Sequence, residues 1–140
     1  RTAHTHYSVI SVEDAHCLAQ VKPGVFLAPA TLPTFADFAA LQPGVRAVYG
    51  VGTTVISYAR YAERRDEVTT FYAPNTPEAQ RAALLRRWGV QYVYCPHFPA
   101  VEPATVDALR RMAELEIETQ EGNAVLFRVK EMDDGKCLLP

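Results

Sequence analysis

The chain has 140 residues, 49% hydrophobic and 21% charged, with a formal net charge of −2. That length suits one domain burying roughly two thirds of its unfolded surface, and the composition excludes a disordered segment. The charge gives no basis for a nucleic-acid surface, and no apolar run reaches the about 18 residues that a membrane span requires.

Residues 1–21 read as an N-terminal arm ending in a short helix. His4, His6 and Ser8 alternate loosely in the arm, and Ser11 followed by Asp14 caps a helix over 12–20. The α/β domain spans 22–131. "GVFLAP" at 24–29 is an apolar run between Pro-Gly and Pro, the mark of a buried strand. Phe35, Phe38 and Leu41 recur at three-residue steps, predicting a short helix that Pro43-Gly44 ends. "VRAVYG" at 45–50 is the second strand.

Residues 54–72 form the longest helical pattern, with Tyr58, Tyr61, Ala62, Val68, Phe71 and Tyr72 on one broad face. Thr76-Pro77-Glu78 opens the next helix, with Thr76 as its cap; Leu84, Leu85 and Trp88 face inward and Gly89 stops it. "VQYVYC" at 90–95 is the third strand. Pro103 starts a helix to about 114 that turns Val106, Leu109, Met112 and Ala113 to one side. "LEIET", the turn "QEGN" and "AVLFRVK" make an antiparallel hairpin, and 132–140 is a tail. The expected fold is α/β: a three-layer sandwich with a mostly parallel sheet and a C-terminal antiparallel hairpin.

In such a sheet ligands bind beyond the carboxyl ends of the strands. Three segments lead there: Pro29-Ala30-Thr31, Gly50 to Thr54, and Cys95-Pro96-His97. The candidate ligand-binding residues are Gly50, Gly52, Thr53, Thr54, Cys95 and His97. Gly50-x-Gly52 follows a strand and precedes a helix, as an anion cradle does, but Val55 stands where the dinucleotide fingerprint has its third glycine.

Cys95 and His97 offer a thiol beside an imidazole, a pair open to three enzyme readings. A cysteine phosphatase loop needs Arg six residues on, where Val101 stands. A dithiol motif needs a second Cys where Phe98 stands. A Cys–His dyad is interrupted by Pro96 and has no assignable orienting acid. The plain alternative is a small apolar residue ending a strand. His4-x-His6, His16-Cys17 and Cys95-x-His97 are soft-ligand pairs without zinc-site spacing, so no metal is assigned. Nor is any cofactor or catalytic residue.

"GVFLAP", "GVRAVYGVGTT" and "ARYAERRDEVTTFYAPNTPEAQRAALLRRWGVQYVYC" together resemble the soluble C-terminal part of bacterial multi-pass membrane proteins of the glycosyltransferase-C type. The likeness covers 22–97 and rests on Gly24, Val45, Arg46, Tyr49, Gly50, Phe71, Tyr72, Leu84, Leu85, Gly89, Val90, Tyr92 and Val93. "VGTT" after Gly50 departs from the His-aromatic run of that pattern. The resemblance implies a domain on the extracytoplasmic face of the cytoplasmic membrane. Its partner would be the transmembrane part of the same parent protein, together with a lipid-linked sugar or glycan. It transfers no catalytic residue, because the family's carboxylates lie in membrane loops. A chain that begins at Arg1 without Met fits an excised domain. The expected function is non-catalytic: assisting folding, assembly or substrate presentation. The alternatives are a free-standing small enzyme or redox protein using Cys95, and an anion- or nucleotide-binding module using Gly50–Thr54.

Overall fold

Five strands form one mixed sheet: β1 (Gly24–Leu27), β2 (Val45–Ala47), β3 (Tyr92–Cys95), β4 (Leu115–Glu121) and β5 (Ala124–Val129), in the order β2-β1-β3-β5-β4. The computed structural model describes residues 10–30, 35, 39, 42–49 and 61–130. β1 pairs in parallel with β2 and with β3, and the β4–β5 hairpin adds to β3 antiparallel. β3 is therefore central, and all four of its side chains are buried. This is the α/β architecture expected from the alternation of strand and helix patterns.

Helices cover both faces. Alternation along the strands sends Leu27, Val93, Cys95, Val125 and Phe127 to one core, and Phe26, Tyr92, Tyr94, Ala124 and Leu126 to the other. The first core is roofed by α2 (Tyr61–Tyr72), α3 (Glu78–Trp88) and α4 (Pro103–Arg110), through Val68, Phe71, Leu84, Leu85, Trp88 and Leu109. The second is covered by α1 (Val12–Leu18), through Cys17 and Leu18, together with the helical residues Phe35 and Ala39. The segment after β1 thus lies on one face and the two helices before β3 lie on the other. That divergence sets a topological switch between β1 and β3.

Several local expectations are corrected. Pro77, not Thr76, occupies the N-cap of α3 and makes no side-chain cap bond. The Thr76 hydroxyl instead donates to the Thr70 carbonyl, one of the orphan acceptors at the end of α2. Ala62 is exposed, as is Ala113, which lies beyond the end of α4 at Arg110. The side chains of Tyr58 and Tyr61, and the helix before Tyr61, lie outside the described residues. The hairpin turns on Gly122 and Asn123 alone, with Glu121 and Ala124 paired.

Candidate functional site

The carboxyl ends of β1 and β3 open onto a crevice of about 290 Å³, lined by Pro29, Ala30, Val68, Tyr72, Pro99 and Val101 among others. It sits at the switch point, where the position of the fold favours a ligand. Its lining is largely apolar. The hydroxyl of Tyr72, one of its lining residues, is committed to the sheet: it donates to the Tyr94 carbonyl at 2.7 Å and lies 3.2 Å from the Leu27 carbonyl. Thr105 of α4 donates to the Tyr72 carbonyl at 2.8 Å, tying α4 to the end of α2.

On the opposite face, Asp14 organises the end of β3. Its carboxylate is fully buried, a costly position for a charge unless donors surround it. Four donors do. The Tyr94 hydroxyl and the His97 N–H (2.7 Å) donate to Oδ1; the Ser11 hydroxyl (2.8 Å) and the Phe98 N–H (3.3 Å) donate to Oδ2. Ser11 also accepts from the Asp14 N–H at 3.0 Å, which closes the first turn of α1. The Asp14 side chain thereby holds the capping Ser11, anchors a tyrosine beneath it and fixes the chain leaving the central strand. Burial, followed by the bond to Asp14, pushes the Tyr94 hydroxyl far above its usual range. It holds its proton.

His97 is part of the same junction. Its Nδ1 accepts from the Asn123 N–H at 2.9 Å, so Nε2 carries the proton of the neutral ring; Nε2 lies 3.8 Å from Glu13 Oε1. Gly122 permits this contact. Its φ of +60° suits glycine, and a Cβ there would meet the His97 Nδ1 at 2.7 Å. His16 adds a second tie from α1 to the hairpin, with Nδ1 2.9 Å from Glu121 Oε1.

Cys95 points the other way, into the core beneath α3 and α4, and is wholly buried. Burial raises its thiol from 9.0 to about 12, with Arg110 and Arg81 pulling more weakly in the opposite direction. Cys17, equally enclosed, is raised to about 11 by burial and then by Glu121 and Asp14. The pair singled out in the sequence is thus split across the sheet, thiol on one face and imidazole on the other. Gly50, Gly52, Thr53 and Thr54 lie outside the described residues. Among the described residues no three His, Cys, Asp or Glu side chains converge as metal ligands, and no helix is long and apolar enough to cross a membrane.

Sequence reasoning missed two members of this framework. The sequence marks Asp14 only as part of the start of a helix with Ser11. It gives Arg81 no role, yet Arg81 is 1% exposed. Its Nε donates to the Phe71 carbonyl at 2.7 Å and its NH2 to the Ala73 carbonyl at 2.5 Å, with the guanidinium carbon 6.0 Å from the Phe71 ring centroid. Burial lowers its pKa. The only signal was position: Arg81 shares a helical face with Leu84, Leu85 and Trp88 at steps of three, four and seven residues.

No family model, curated protein or solved structure matches the chain.

Proposed function

We propose that this chain is a non-catalytic α/β domain of a larger membrane glycosyltransferase-like protein, on the extracytoplasmic face of the cytoplasmic membrane. There it assists folding, assembly or substrate presentation. Its partners in this reading are the transmembrane part of the same parent and the lipid-linked sugar or glycan that part handles. The identity of the partner rests on the sequence resemblance. The non-catalytic role rests on one observation: the reactive side chains described at the carboxyl end of the sheet are bound to the fold itself. Asp14 is saturated by four donors, Tyr94 and Tyr72 donate inward, and the Cys95 thiol is enclosed and neutral. A small enzyme built on Cys95 would need the thiol exposed and acidified. It is neither.

Whole-cell labelling tests this reading. Glu78 is exposed, and Glu78→Cys in the natural full-length protein offers a thiol to a membrane-impermeant maleimide. The proposal expects labelling of intact cells and recovery of the protein with the membranes. Labelling only after lysis, with the protein in the cytosolic fraction, would remove it.

A further inference from the structure

At the other end of the sheet, where α3 stops and β3 begins, lies a cleft of about 520 Å³. That is within the range of small-molecule sites. Its apolar wall is Leu85, Val90 and Val129, and its rim carries Arg86, Arg128 and Lys130 with Glu114. The cations are not equivalent. Arg128 is tied across the hairpin to Glu116 and, at 3.2 Å, to Glu118. The side chains of Arg86 and Lys130 have neither hydrogen-bond nor ion-pair partner among the described residues. Glu114 lines the same cleft and offsets part of this charge; its Oε1 is enclosed and accepts from no donor among the described residues. Among the described residues the rim thus holds two uncommitted cations and one carboxylate, an excess of positive charge.

The backbone beneath presents fewer free acceptors than an ordinary helix end, though its own N–H groups are spent. A helix C-terminus normally repels anions through its free carbonyls. Here the Gly89 and Val90 N–H groups turn back to the Arg86 and Leu85 carbonyls at 3.2 and 3.0 Å. Gly89, at φ +66°, has no atom within 4 Å of where a Cβ would stand, so the mouth of the cleft is open above it.

We propose that this cleft binds a small phosphate monoester. The phosphate would lie between the Arg86 guanidinium and the Lys130 ammonium, and the organic part against Leu85, Val90 and Val129. An anionic head is drawn by the rim's excess of positive charge, and a guanidinium fork with a point-charge ammonium suits phosphate oxygens. The site is independent of the membrane reading: a cytosolic location would end that reading and leave this one standing.

The test is an amide chemical-shift titration of the 140-residue chain at constant ionic strength with inorganic phosphate, glycerol 3-phosphate and sodium chloride. The expected result is a saturable shift centred on Gly89, Val90, Gln91 and Lys130 with both phosphates and none with chloride, the ester binding tighter. Arg86→Gln combined with Lys130→Gln, both exposed positions, should weaken binding about tenfold or more while the remaining spectrum is unchanged. Shifts that do not saturate, that scatter over other basic residues, or that persist equally in the double variant would overturn the proposal.

Discussion

Replacing Asp14 with Ala should cost more stability than any other single polar substitution on the face of the sheet that α1 covers. The substitution leaves four donors without their acceptor. They do not weigh equally. The Tyr94 hydroxyl is fully buried and out of reach of water, so it bears a full desolvation penalty of about 1–3 kcal/mol. The Ser11, His97 and Phe98 donors are part-buried, so water recovers much of each and about 0.5–1 kcal/mol remains apiece. The total is about 2.5–6 kcal/mol, a large share of the stability of a domain this size. Tyr94→Phe removes only the innermost partner and should cost about 1–2 kcal/mol. Because the two side chains share one bond, the double variant should lose less than the sum of the singles. Urea unfolding at neutral pH, followed by circular dichroism, reads these values from the midpoint at constant m. A loss below about 1 kcal/mol for Asp14→Ala, or strict additivity with Tyr94→Phe, would show that the junction does not hold α1 to the end of β3.

Arg81→Ala removes a donor from the Phe71 carbonyl and one of two donors from the Ala73 carbonyl, and empties a buried volume, so a loss of about 2–4 kcal/mol is expected by the same assay; a neutral substitution would place Arg81 in solvent. Trp88→Ala should cost about 3–5 kcal/mol because the indole is 7% exposed and its Nε1 donates to Glu67 at 3.2 Å. Arg86→Ala, on the exposed side of the same helix, should stay within about 0.5 kcal/mol, and similar losses for the two would mean that the helix is rotated. Raising the pH should destabilise the fold through Cys95. Its thiol ionises near 9.0 when unfolded and only near 12 when folded, so the native state holds the proton longer and stability present below pH 9 is lost as pH rises towards 12. Between pH 8 and pH 10 that loss is on the order of 1 kcal/mol, and Cys95→Ala should decline less over the same interval; parallel curves would contradict the burial of the thiol.

β1, β2 and β3 are legible as short runs flanked by Pro or Gly, and β4 and β5 as two runs either side of the turn at Gly122; alternation along β3 puts Val93 and Cys95 opposite Tyr92 and Tyr94. The capping of α3 was misread because local statistics favour Thr as a cap, whereas the Thr76 hydroxyl had a nearer acceptor in the preceding helix. The Asp14 junction could not be read, since its partners Tyr94, His97 and Phe98 are 80 to 84 residues away in sequence and meet it only once α1 packs on the sheet. Arg81 escaped for a similar reason: charge predicts exposure, and only the carbonyls left at the end of α2 reverse it. The pairing of Cys95 with His97 failed on strand geometry. Two residues past the end of β3 the chain is captured by Asp14 and carries the imidazole to the opposite face.

Whether these side chains hold the fold together or perform chemistry is decided most directly at Cys95. In a chain with Cys17 and Cys137 replaced by Ala, the rate of Cys95 reaction with Ellman's reagent should be negligible at pH 7 in native buffer. In urea it should rise, in step with unfolding, to that of an ordinary thiol. Rapid native labelling with a rate plateau below pH 7, the signature of an acidified nucleophile, would contradict the structural role assigned to the carboxyl end of the sheet.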